Sequence, residues 1–166
     1  MDAPLNFLEI LKVLTRHRVD FILVGGVAAI LEGAPISTFD LDVMIRPTSD
    51  DRNRLLEALS ELNARCLDPA GRHILPDQTK LETLRLQRLV TDFGPLDVLE
   101  TIGDGLKYSD LAGETEVYEV GGLALRALRL EAIILSKEQA GREKDLAALP
   151  ILRRTLQLKR GGSQGG

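Results

Sequence analysis

The stretch "VGGVAAILEGAPISTFDLDVMI", residues 24–45, decides how this chain folds. It opens on two glycines, Gly25 and Gly26, and closes on an apolar run carrying two carboxylates, Asp40 and Asp42. Just upstream, "VDFILVGG" is rich in β-formers and stops at glycine, so it reads as a buried strand. "GVAAILEG" reads as a short helix closed by Gly33 and the following Pro35, and "FDLDVMI" as a second strand. Side chains alternate across a strand, which places Asp40 and Asp42 on one face and Leu41 and Val43 on the other. Two like charges side by side repel, and burial makes both harder to ionise. A strand accommodates them at an exposed end, or where a cation joins them, and Mg2+ suits such oxygen ligands. For a D-x-D pair alone, a solvated face without function is the plain alternative.

The glycines bear on that choice. A helix N-terminus offers free N–H groups and partial positive charge, and the missing side chains at Gly25 and Gly26 let a phosphate approach the backbone. An ordinary glycine-rich strand-to-helix turn would read the same way. Thr38, two residues before Asp40, adds a hydroxyl to the same region. A third carboxylate is needed to hold two metals or to activate a hydroxyl, and "GPLDVLE" supplies Asp97. Asp97 is preferred to Asp92 because its apolar flanks place it within the sheet beside the D-x-D strand, whereas Asp92 suits the turn itself.

Working outward, residues 4–17 carry Leu5, Leu8, Leu11 and Leu14 at helical spacing, and "DDRNRLLEALSELNA" is a helix capped by Ser49 or Asp50. Residues 65–82 show no assignable pattern, because Pro69, Gly71 and Pro76 interrupt it. "TLRLQRLVTDFGPLDVLE" predicts two strands joined through Phe93-Gly94-Pro95. "GLKYSDLAG" predicts a short helix or turn, "EVYEVGGLALRAL" a hairpin around Gly121-Gly122, and residues 129–140 a helix. A last helix is expected from about residue 143 into the 150s, interrupted or bent at Pro150. Tyr108 and His73 are expected to be structural. With no repeat or linker, residues 1–160 read as one domain of the α/β (α+β) class, a mixed sheet flanked by helices, followed by a flexible tail at 161–166.

Composition excludes several function classes. The 166 residues are 44% hydrophobic, which fits a packed core and excludes wholesale disorder. Aromatics make up 4%, with no Trp, leaving few platforms for base stacking, and the net charge of -4 argues against general DNA binding. A single cysteine, Cys66, allows neither an internal disulfide nor a cysteine zinc cluster, and His17 and His73 lack metal-ligand spacing. No signal-peptide pattern is present, and the longest apolar run is broken by glycines and Glu32. The expectation is a cytoplasmic protein without a membrane partner.

Together, "GGVAAILEG", "TFDLDVMI" and "LDVLE" resemble the nucleotidyltransferase superfamily with the DNA polymerase β-like fold. The C-terminal "LRLEAIILSKEQAGREKDLAALPIL" looks like the K-x-x-x-G-R-x-K-D segment of small bacterial nucleotidyltransferase-like proteins related to AbiEii toxins. The resemblance implies transfer of a nucleoside monophosphate from an NTP to a hydroxyl of a protein, RNA or small molecule, within a toxin–antitoxin pair. A catalytically idle member that binds a nucleotide or a partner is the alternative. It also implies roles: Gly25, Gly26 and Thr38 at the triphosphate, Asp40, Asp42 and Asp97 as catalytic acids holding Mg2+ or Mn2+, and Lys137, Arg142 and Lys144 balancing phosphate charge. As residues of C-terminal helices, these last three equally suit a solvated surface. The chain departs from many relatives in carrying Gly-Gly for Gly-Ser and in lacking an arginine within "GAPISTFD".

Overall fold

The computed structural model describes residues 6–66 and 68–162. Leu5, expected in the first helix, lies outside the described residues, as do residues 163–166 of the expected tail. Helix α1, Phe7–Arg16, opens on Asn6, whose side chain accepts from the Glu9 N–H, and buries Ile10, Leu11, Val13 and Leu14. It leads into β1, Phe21–Val24, which is buried throughout. Helix α2, Gly25–Leu31, follows at once, so both glycines already belong to the helix rather than ending the strand. Strand β2 is Leu41–Ile45 and α3 is Ser49–Glu61. The cap of α3 is neither Ser49 nor Asp50 but Thr48, whose hydroxyl accepts from the Asp51 N–H at 3.1 Å. Its extended backbone turns the side chain back over the first helical turn.

The segment that resisted assignment holds β3, Arg65–Cys66, and α4, Gln78–Thr83, capped by Asp77. Strands β4, Leu86–Thr91, and β5, Gly94–Leu99, form the expected hairpin. Its ladder closes at Thr91 opposite Gly94, so Gly94 and Pro95 are strand residues and the turn is tighter than predicted. Thr91, not Asp92, supplies the turn chemistry: its buried hydroxyl donates to the Gly94 carbonyl at 2.8 Å and accepts from the Phe93 N–H at 3.1 Å. Asp92 instead accepts from the Asn63 amide. A two-residue pair, β6 Thr101–Ile102 and β7 Leu106–Lys107, precedes α5, Tyr108–Leu111. The hairpin at Gly121-Gly122 joins β8, Thr115–Val120, to β9, Leu123–Leu128. Helices α6, Leu130–Ala140, and α7, Glu143–Gly162, complete the chain.

Seven strands form one mixed sheet in the order β3-β4-β5-β2-β1-β9-β8, with β2–β5 and β1–β9 parallel and the other pairs antiparallel. Helices flank it: α1 packs with α3, and α2 with α6, which in turn packs with α7. Pro150 does not interrupt α7, which runs unbroken past it and includes Gly161 and Gly162. Buried Leu149, Leu152 and Thr155 anchor the helix at and beyond the proline. The carbonyl that loses its donor belongs to Leu146, an exposed residue. Tyr108 is structural as expected, donating its hydroxyl to Asp20, which also pairs with Arg126.

Glu32, at the end of α2, has no exposed side-chain surface. One carboxylate oxygen accepts from the Leu130 N–H, the first residue of α6, at 2.8 Å. The other meets Lys159 of α7 and the Tyr118 hydroxyl of β8. This carboxylate caps a helix whose flanking Arg129 makes no side-chain cap, and it ties α2, α6, α7 and β8 together.

Candidate active site

Strand register brings the acids together. Val24 stands opposite Asp42 across β1–β2, Asp42 beside Asp97 across the parallel pair β2–β5, and Asp97 opposite Arg88 across β5–β4. Paired residues share a face, so Arg88, Asp97 and Asp42 form a row over three adjacent strands. The row ends where Val24 passes into the glycine turn. Gly25 has φ +65, and a Cβ there would stand 2.1 Å from Asp42 Oδ2. Backbone and carboxylate are therefore in direct contact, which only glycine permits. At Gly26 a Cβ would meet Thr38 at 2.7 Å, so Thr38 fills the space a side chain would take and donates its hydroxyl to the Asp40 carbonyl at 3.1 Å.

Gly25→Ala is therefore expected to lower stability by about 1–3 kcal/mol, from the left-handed backbone and the displaced carboxylate combined. Urea unfolding of the purified variant checks this, and an unchanged midpoint would contradict the contact.

Burial, reinforced by the charges of Asp97 and Asp40, pushes the Asp42 carboxyl up to about 7, with Lys137 pulling the other way. Asp97 is also raised, by burial and by Asp40, against Arg88 and the hydrogen bond it receives from Asp42. Asp42 is thus the member of the pair that holds the proton, and it donates to Asp97. A cleft of about 550 Å3 opens here, lined by Gly25, Gly26 and Asp42, with Lys137, Arg142 and Lys144 on its α6–α7 side.

Of the residues expected from sequence, those six line the cleft and Asp97 adjoins Asp42, while Asp40 sits exposed just before β2 and Thr38 packs on Gly26. Two of the three cations are already engaged. Buried Asp145 is gripped by Arg142 through two hydrogen bonds, of 2.6 and 3.2 Å, and by Lys137 at 3.6 Å. Despite its burial, those cations hold the Asp145 carboxyl below the usual range. Lys144 forms no ion pair among the described residues.

Among the described residues no three His, Cys, Asp or Glu side chains stand together as a metal-holding group. The Asp42–Asp97 pair is nonetheless a set of hard oxygen donors whose proton, held on Asp42, a divalent cation would displace. It fits an ion such as Mg2+ that keeps waters or phosphates in its shell. Sequence reasoning missed Arg85, which lines the cleft, and Arg88, opposite Asp97. The hairpin register contains that second pairing once the turn is placed at Asp92–Phe93 instead of at Phe93-Gly94-Pro95.

No protein-family profile matches the chain, and no curated protein matches it in sequence. Solved structures do. A candidate nucleotidyltransferase of Thermotoga maritima is 17% identical with a TM-score of 0.55, covering 91% of this chain and 92% of that one. The ANT(2'')-Ia protein, solved with adenylyl-2''-tobramycin, is 14% identical with a TM-score of 0.58, over 93% and 89%. Lincomycin-bound LnuA, a lincosamide antibiotic adenylyltransferase, is 15% identical with a TM-score of 0.57, over 89% and 94%. With its mixed seven-stranded sheet, its glycine turn and its paired aspartates, this chain has the nucleotidyltransferase fold.

Proposed function

We propose that the chain is a nucleotidyltransferase, which moves a nucleoside monophosphate from an NTP to an acceptor hydroxyl and releases pyrophosphate. The observation that carries this reading is the Asp42–Asp97 pair, side by side across β2–β5 and against the Gly25 backbone at the cleft. The triphosphate lies along Gly25 and Gly26 with Thr38 beside it, and Lys137, Arg142 and Lys144 balance its charge. Asp97 takes the proton of the acceptor hydroxyl. The hydroxyl oxygen bonds to the α-phosphorus as the bond from that phosphorus to the oxygen bridging to the β-phosphate breaks. Pyrophosphate leaves with the electron pair. Mg2+ or Mn2+, held by Asp42 and Asp97 with Asp40 at the rim, supplies charge neutralisation for the phosphates when bound.

The tobramycin and lincomycin complexes of the two similar proteins favour a small-molecule acceptor over a protein or RNA. The AbiEii-like C-terminal segment extends the proposal to a cytoplasmic toxin held by an antitoxin partner. No helix among the described residues is long and apolar enough to cross a membrane. The lack of a three-acid group among the described residues favours a second reading, a catalytically idle nucleotide binder.

Incubation with each labelled NTP, Mg2+ and cell extract separates the two. Transfer of label from at least one NTP is expected. Stabilisation of the protein by NTP and Mg2+, about 2.7 kcal/mol at a hundredfold excess over Kd, accompanies it. Stabilisation without label selects the idle member, and neither effect would sink both.

A further inference from the structure

Beyond Asp97 the sheet changes character. On β4, Gln87, Leu89 and Thr91 are buried while Leu86 and Arg88 are exposed, so one face of the strand is covered and the other open. The open face is that of Asp97 and Asp42, because Arg88 pairs with Asp97. Val90, on the same face, stands opposite Arg65 of β3, and Arg85 lines the cleft where β4 begins. Arg65, Arg85 and Arg88 form no ion pair among the described residues. Arg88 and Arg65 thus share the open face on adjacent strands, and Arg85 lines the cleft just before β4, all on the β4 side of the acids in a chain whose net charge is -4. Arg88 already lowers the Asp97 carboxyl, while Arg65 and Arg85 have no acidic partner among the described residues, and the guanidinium fork matches carboxylate and phosphate.

Which side they occupy gives this its meaning. The glycine turn and Lys137 lie toward β1, where the proposed function seats the NTP. The arginines lie toward β4 and β3, past the acid that receives the acceptor's proton. We infer that the acceptor is a small hydroxyl compound bearing a phosphate or carboxylate, which Arg88, with Arg85 and Arg65, holds beside Asp97. The inference rests on the nucleotidyltransferase reading. A small acceptor is favoured over a nucleic acid by the net negative charge and by the 4% aromatic content. A polycationic acceptor would meet like charge at this surface.

The test uses the full chain with labelled NTP, Mg2+ and three probes: the small-molecule filtrate of a cell extract, the same filtrate pretreated with phosphatase, and the nucleic-acid fraction. Label should enter a compound of the untreated filtrate that remains anionic once the transferred nucleotide is removed. Phosphatase pretreatment abolishes the product for a phosphate acceptor and spares it for a carboxylate one. Arg88→Glu should lower transfer at limiting acceptor by about tenfold or more, as the loss of a charged hydrogen bond predicts. It should do so mainly through acceptor KM, with a smaller fall in kcat because Arg88 also lowers the Asp97 carboxyl, with the NTP-induced rise in Tm unchanged and partial recovery in Arg88→Lys. A neutral or cationic acceptor, label confined to nucleic acid, or full transfer by Arg88→Glu would overturn the inference. If the wild type shows neither label nor NTP stabilisation, the nucleotidyltransferase reading has failed and takes this inference with it.

Discussion

Asp42→Asn is expected to abolish nucleotidyl transfer, a loss of about a thousandfold or more, and at the same time to stabilise the protein in the presence of a chelator. Both effects have one origin. Burial and the neighbouring Asp97 and Asp40 hold the Asp42 carboxyl at about 7 in the folded chain. An unfolded aspartate titrates near 3.9. Between those values the native state binds a proton that the unfolded state has lost, so stability falls as pH rises from about 4 through 7. An asparagine amide donates to Asp97 without carrying charge, and it escapes that penalty. The advantage of Asp42→Asn should be absent near pH 4 and reach about 1–3 kcal/mol above pH 7, allowing for partial solvation of the site. Unfolding midpoints of both proteins across this range, with metal chelated, measure it. An equal gap at all pH values would mean that Asp42 is not held protonated. Retained transfer in Asp42→Asn would mean that the chemistry lies elsewhere.

Glu32→Ala should produce the largest loss of stability, about 3–5 kcal/mol, because it breaks a buried charged network on one side only. The Leu130 N–H loses its acceptor inside the core, and Lys159 and Tyr118 lose the carboxylate that joins them. Glu32→Gln keeps an acceptor for Leu130 and should cost less. Denaturant unfolding of the two variants supplies the comparison, and equal losses would point to packing instead of charge. The network also links α2, which carries the glycine turn, to α6, which carries Lys137. Weakened NTP-induced stabilisation is therefore expected in Glu32→Ala where the fold survives.

Local chemistry carried much of the architecture into the sequence. Alternation in "FDLDVMI" marked the second strand, although β2 begins at Leu41 and leaves Asp40 outside it, the glycine pair marked the strand-to-helix turn, and Gly121-Gly122 marked a hairpin. These features depend on neighbours a few residues away, which periodicity reports directly. Residues 65–82 stayed illegible because β3 is two residues long and is defined by its partner β4, not by any pattern of its own. The α3 cap falls at Thr48 and not at Ser49 or Asp50, and the turn chemistry at Thr91 and not at Asp92, because several adjacent side chains offer similar oxygens and only backbone geometry chooses between them.

What the sequence by itself determined is the class, most of the longer elements and the identity of three acids and three cations as candidates. Only the tertiary structure decided which of them meet. The parallel pairing of β2 with β5 seats Asp97 beside Asp42, where its charge and hydrogen bond add to burial in raising the Asp42 carboxyl. Burial of Asp145 draws Arg142 and Lys137 into an ion-pair cluster and leaves Lys144 without an ion pair among the described residues. Arg88, unremarkable on a solvent-facing strand, acquires its place only because antiparallel register sets it opposite Asp97. Pairing between distant segments is a matter of long-range contact and shared burial, and neither leaves a period in the chain.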